Sequence, residues 1–160
     1  MGALPIVSPG EQLCAPLLIH MARRMRTEGD AELAGVGLKA RHVIALTLLR
    51  DFGEQKQADL AQMLGVDPTN VVALLNELEA ADLIVRQRSA QDRRRHTVSL
   101  TATGTRRLGE VEQLLGGVEQ RVLAALTPDE QKTLYTLLLR ATANPTCAEV
   151  LDTTRAFVED

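Results

Sequence analysis

The sequence predicts a mostly α-helical fold built on a winged helix-turn-helix, with long helices at both ends and a two-stranded wing. Three observations predict it. First, the core must be aliphatic: 45% of the 160 residues are hydrophobic, only 2% are aromatic, and Trp is absent. That apolar content is globular, and Leu- and Ala-rich segments with few strand-like runs favour helices. Second, residues 57–81 read as helix, Gly-containing turn, second helix, the order of a helix-turn-helix. Third, two strand-like runs, Leu83–Arg88 and His96–Leu100, flank a polar, arginine-rich tip. A chain of this length supports one domain with a proper core.

The elements follow in order. Ser8-Pro9-Gly10-Glu11 reads as a capping box with proline at the first helical position. It opens a helix to about Glu28, with an apolar stripe at Leu13, Leu17, Leu18, Met21 and Met25. Pro16 lies inside that helix and should kink it, because it lacks an N–H and crowds the preceding turn. Gly29–Gly37 reads as a loop. Leu38–Phe52 reads as a second helix, apolar through Val43, Ile44, Leu46, Leu48 and Leu49, so broadly that burial on more than one side is expected. Lys39 stands at its start, where no side chain offers a recognised cap.

The helix Gln57–Leu64 should end at Gly65, which can take the left-handed conformation. Asp67 can cap the next helix, and Pro68 fits its first position. Val71, Leu74, Leu75 and Leu78 recur at helical spacing and mark a buried face. Thr69, Asn70, Ala73, Asn76 and Glu77 are left on the other face. After the two strands, Thr101 can cap a helix from Ala102 to about Ala125, spanning ~36 Å. Gly116-Gly117 is a weak point within it. Thr127-Pro128-Asp129-Glu130 is another capping box, opening a helix to about Ala143 that Asn144-Pro145 breaks. Thr146-Cys147-Ala148-Glu149 is a third. It predicts a short C-terminal helix carrying Val150, Leu151, Thr154, Phe157 and Val158 on one face.

The formal net charge is −3, unlike a typical nucleic-acid binder, but distribution matters more than the sum. From Arg86 to His96 there are five arginines, at 86, 88, 93, 94 and 95, against the single acid Asp92. Residues 146–160 carry four acids against Arg155. Such segregation can present one basic face to DNA. Two cysteines, Cys14 and Cys147, make no disulfide framework. No secretory signal and no bilayer-spanning apolar run is visible, so no membrane partner and a cytoplasmic location are expected.

These residues carry a resemblance. The stretch Leu60–Val71 reads LA-x-x-LGVDP-x-x-V, followed by Leu78-Glu79-Ala80 and by L-I-V-R at Leu83–Arg86. Asp92-Arg93-Arg94 then precedes V-S-L-T at Val98–Thr101, with Gly104 three residues on. This pattern is similar to that of the MarR family of bacterial transcription regulators, and Leu126–Glu130 resembles the start of that family's last common helix. The resemblance covers roughly residues 11–143. The D-R-R wing followed by V-S-L-T-x-x-G is its most specific part.

The resemblance implies a homodimeric regulator of transcription that binds a pseudo-palindromic duplex, more often as a repressor, with dimerisation through the first and last helices. The apolar surface of the terminal helices points the same way, since a second copy would cover it through a two-fold interface. The expected organisation is an N-terminal arm and dimerisation helix (1–37), a DNA-binding region (38–100) and C-terminal dimerisation helices (101–160), in one structural domain.

The exposed face of Pro68–Ala81 would enter the major groove, with Thr69 and Asn70 in its first turn and Asn76 further along. An asparagine can bond adenine bidentately. Ala73 stands where many relatives carry Arg, which removes a guanine reader and leaves room for a thymine methyl. By resemblance, Asp92 braces the wing by pairing with Arg94, and Arg94 inserts into the minor groove, whose narrow A·T-rich form attracts arginine. Arg93 and Arg95 would meet phosphates, as would Arg86 and Arg88. Asp82 stands where relatives usually have Gly, at a turn that needs a left-handed residue; Asp tolerates it better than most.

Many family members release DNA on binding a small, often aromatic or phenolic, ligand between the dimerisation helices and the winged helix. Candidate polar groups are His20, Arg23, His42 and Arg50. Gln12-Leu13-Cys14 resembles the reactive-cysteine segment of the family's peroxide-sensing branch. That branch supplies tyrosines nearby, whereas Tyr135 is this chain's only one and lies in a distant helix. A buried, inert Cys14 is therefore expected, with a redox-sensing Cys14 as the alternative. No cofactor, metal or enzymatic activity is expected: there is no phosphate-cradling Gly loop, and the histidines (20, 42, 96) and cysteines lie at unhelpful spacings. The rival to DNA binding is a winged helix serving as a protein-interaction module.

Overall fold

A computed structural model describes residues 13–88 and 96–142. The elements run α1 (Ala15–Gly35), α2 (Ala40–Phe52), β1 (Gln55–Lys56), α3 (Gln57–Leu64), α4 (Pro68–Ala80), β2 (Ile84–Arg88), β3 (His96–Leu100), α5 (Ala102–Val122) and α6 (Pro128–Ala141). This is the mostly helical winged fold that the sequence predicts, with the β2–β3 pair forming the wing.

Several boundaries differ. Pro16 does not kink α1; it sits in the first turn, where a missing N–H costs nothing. The expected loop from Gly29 is helical to Gly35, because Gly29 and Leu33 are buried against α5. Tertiary packing there overrides the low helix propensity of glycine. Arg121 of α5 reinforces this packing, reaching Glu32 of α1 at 2.6 Å and Glu28 at 3.7 Å. The Gly116-Gly117 pair lies within an uninterrupted α5. The capping boxes at Ser8 and Thr146, and the helix expected beyond Pro145, lie outside the described residues.

The two-stranded wing is joined by a further short strand, in the sheet order β1-β3-β2. β1 is only two residues long and pairs antiparallel with β3, Gln55 opposite Val98 and Lys56 opposite Thr97. The wing strands pair from Ile84–Leu100 to Arg88–His96. One apolar core joins the layers. Leu46 of α2, Leu60 of α3, Val71, Leu75 and Leu78 of α4, Ile84 and Val98 of the sheet and Leu108 of α5 are all essentially fully buried. Each such aliphatic side chain contributes about 1.5–3 kcal/mol relative to exposure. α4 is therefore fixed on its inner side, and its outer side is free for contact.

The turn from α4 into the sheet is set by Asp82, at φ 57. Its backbone carbonyl accepts from Thr101 Oγ1 at 2.6 Å, and its carboxylate accepts from Thr103 Oγ1 at 3.1 Å. An aspartate in the left-handed region is thus held by the start of α5. Thr101 caps α5 by accepting from the Gly104 N–H at 2.8 Å. Gly104 is required by closeness: a Cβ there would stand 1.9 Å from the Leu83 carbonyl oxygen.

Candidate nucleic-acid interface

The candidate surface is the outer face of α4 with the adjoining wing. Asp67 starts α4: its Oδ1 accepts from the N–H groups of Thr69 (2.9 Å) and Asn70 (3.0 Å), and its Oδ2 accepts from the Asn70 side chain. Those donors, the Asn70 N–H foremost, hold the Asp67 carboxyl below its ordinary range. Thr69, Asn70, Ala73, Asn76 and Glu77 are all exposed, while Val71, Leu74, Leu75 and Leu78 are buried. The sequence-predicted division of the two faces is the one observed.

Two polar clusters anchor the far end of this face. Glu77 accepts from Lys39 Nζ at 3.1 Å and lies 2.8 Å from His42 Nε2. Lys39 first, then His42, holds the Glu77 carboxyl below its ordinary range. His42 is 4% exposed. Its Nδ1 accepts the Lys39 backbone N–H at 3.1 Å, which supplies the start of α2 with the partner that sequence reading did not find. With Nδ1 accepting, Nε2 carries the proton and donates to Glu77. Burial lowers the His42 pKa, opposed by Glu77. His42, a ligand candidate by sequence, thus joins α2 to α4.

The second cluster is Arg86. Its Nε donates to Glu79 Oε2 at 2.9 Å and its Nη2 to Asn76 Oδ1 at 2.6 Å, with a further contact from Nη2 to Glu79 Oε2. Arg86 holds the Glu79 carboxyl below its ordinary range. Arg86, expected at a phosphate, thus ties the wing to α4. This pairing went unseen because Glu79 and Arg86 belong to different elements. Arg88 is exposed at the outer end of β2. Asp92, Arg93, Arg94 and Arg95 lie outside the described residues.

The four residues expected to hold a ligand are dispersed. His20 and Arg23 are exposed on α1. Arg50 is paired with Asp51 at 2.8 Å and with Glu112, which raises its already high pKa. A cavity of about 360 Å³ lies elsewhere, between α1, α2 and α5, walled by Met25, Gly29, Leu33, Val43, Ile44 and Leu115, with Arg26 and Asp30 also lining it. None of His20, Arg23, His42 or Arg50 lines it. Cys14 is exposed beside the start of α1, contrary to the buried thiol expected.

Residues 36–95 match the family model described as the MarR family. A candidate transcriptional regulatory protein for the hcr operon of Thauera aromatica is 38% identical over 84 residues, covering 52% of this chain. The match spans about half (51%) the length of that relative. Among solved structures, a cysteine-to-serine mutant of MarR from E. coli is 22% identical, with a TM-score of 0.72 over 84% of this chain and 99% of its own. The same mutant complexed with operator DNA is 23% identical, with a TM-score of 0.60 over 80% and 92%. A MarR family protein of Mycobacterium tuberculosis in complex with p-aminosalicylic acid is 26% identical, with a TM-score of 0.65 over 84% and 99%. Residues 36–95 are therefore a MarR-family winged-helix region, set in a chain that has the fold of MarR-family transcription regulators.

Proposed function

We propose that this protein is a sequence-specific, double-stranded DNA-binding transcription regulator that acts as a homodimer and represses by occluding a promoter. One observation carries the reading: α4 buries an unbroken aliphatic face and turns an exposed polar face outward, beside a hairpin whose tip sequence holds Arg93, Arg94 and Arg95. Thr69, Asn70 and Ala73 of the first turns would meet base edges in the major groove. Arg94, braced by Asp92, would enter the minor groove, and Arg88, Arg93 and Arg95 would meet phosphates. The relatives bound to operator DNA and described as an operon regulator support this reading.

The dimer rests on surface chemistry. The start of α1 exposes Leu17, Leu18 and Ile19, with Leu13 exposed just before it, and α6 exposes Tyr135, Leu137 and Leu138. α6 buries none of its residues within the protomer. A small aromatic acid would enter the cavity between α1, α2 and α5, whose volume is within the usual range for such ligands. Ordering that junction would shift the two α4 helices of a dimer.

The test is binding to the duplex upstream of the protein's own gene, against a shuffled duplex, at two salt concentrations. Preferential binding as a dimer, weakening steeply with salt as phosphate contacts require, is the expected result. Addition of p-aminosalicylic acid should then release the duplex. Equal, salt-insensitive binding to both duplexes would overturn the reading in favour of a protein-interaction module.

A further inference from the structure

We propose that Asn76 reads guanine in the major groove and that Arg86 is the positioning residue that orients it; this rests on the DNA-binding reading above. Asn76 lies on the exposed face of α4, and its Oδ1 accepts from Arg86 Nη2 at 2.6 Å. A guanidinium can only donate. The contact therefore fixes which branch of the amide is which: Oδ1 lies against the arginine, and Nδ2 is the other branch.

Arg86 is not free to let go. Its Nε donates to Glu79 Oε2 at 2.9 Å, and its backbone N–H donates to Glu79 Oε1 at 3.3 Å. Its backbone sits in the β2–β3 ladder opposite Val98, which is fully buried. The guanidinium end is anchored, with the Arg86 side chain 21% exposed, and the amide end is exposed. The arrangement has an inner fixed end and an outer presenting end.

An unrestrained asparagine reads adenine with both branches, Oδ1 accepting from N6 and Nδ2 donating to N7. Here a cation occupies the Oδ1 side, where the adenine N6 donor would have to approach. What Asn76 offers the groove is the pair of N–H donors on Nδ2. Guanine presents two acceptors, O6 and N7, where adenine presents one acceptor and one donor. The Arg86–Asn76 pair thus converts an adenine reader into a guanine reader. The adjacent Glu77 does not interfere, since Lys39 and His42 engage its carboxylate from the α2 side.

The test is selection from a randomised duplex library with the full-length protein. Affinities for guanine- and adenine-bearing versions of each selected position are then measured for wild type, Asn76→Asp and Arg86→Met. Asn76→Asp keeps an acceptor for Arg86, and with it the fold, which thermal melting checks, but it has no N–H to donate. Ratios between bases are read, so the repulsion of the added charge from the phosphates, common to all bases, cancels, while at the contacted base a group that only accepts disfavours guanine. In wild type one position per half-site should favour guanine over adenine roughly tenfold. Asn76→Asp should lose that preference at that position alone, and Arg86→Met, which frees Oδ1, should move it toward adenine. If Asn76→Asp keeps the wild-type preference at every position, the inference is overturned while DNA binding stands. If wild type enriches no sequence and binds without salt dependence, the DNA-binding reading falls, and the inference with it.

Discussion

At the scale of single residues, close approach decides more than composition does. Two glycines five residues apart in α5 show it. A Cβ at Gly104 would sit 1.9 Å from the Leu83 carbonyl oxygen, which also accepts the Thr101 N–H at 3.2 Å. At Gly109 a Cβ would meet nothing within 4 Å. Gly104→Ala must push α5 off the strand, at or above the upper end of the about 1–3 kcal/mol that overpacking costs. Melting temperature should fall by roughly 6–12 °C at 2–4 °C per kcal/mol for a chain of this size. Gly109→Ala should instead raise it slightly, since Ala exceeds Gly in helix propensity by up to about 1 kcal/mol. Equal melting of the two variants would show that α5 can shift without cost. The sequence marks Gly104 through its place after V-S-L-T; only the backbone contact explains the position.

Between elements, the structure turns on pairings that the sequence does not announce. Gly65, Asp67 and the Val71–Leu78 stripe were legible because each acts within a few residues of itself: a left-handed stop, a carboxylate over two N–H groups, one face of one helix. β1 was not, because two residues carry no periodicity and their partners lie some forty positions away. The link that His42 makes between helices is not legible for the same reason, its partner Glu77 being on another helix. That latch has a pH consequence. His42 must be neutral for Nδ1 to accept the Lys39 N–H, and burial lowers its pKa below the ordinary 6.5. The groups facing it are Lys39 and Arg41, which lower the pKa, and Glu77, which raises it. The unfolded chain therefore takes up a proton that the folded chain refuses as pH falls below about 6.5. Stability from this group is full above that value and is lost on acidification toward the lowered folded value. Melting temperature should fall between pH 7.5 and 5.5, and His42→Gln, whose amide both accepts and donates without titrating, should flatten that slope. An unchanged slope in His42→Gln would assign the acid sensitivity to another group.

For the whole molecule, the question is what covers α1 and α6. Leu17 is 55% exposed, Ile19 57%, Tyr135 66% and Leu137 53%. A 14-residue helix with no buried position is marginal on its own in water, even with a good cap. α6 has that cap: Thr127 and Glu130 bond each other's backbone N–H groups, at 2.7 and 3.4 Å. A cap fixes one end only, so the rest of α6 needs an apolar partner, and in the homodimer proposed above a second copy would offer the α1 and α6 faces through a two-fold axis. If the dimer supplies that cover, folding and association are linked, and the melting temperature rises with protein concentration. Leu17→Glu with Leu137→Glu should abolish that dependence and halve the sedimenting mass. The α2–α5 core, whose buried cluster includes neither residue, should keep its helical signal. Salt-sensitive duplex binding should weaken far more than loss of one half-site alone would suggest, because two linked α4 helices gain from each other's binding. A double variant that keeps both the wild-type mass and the concentration dependence would move the interface away from these helices.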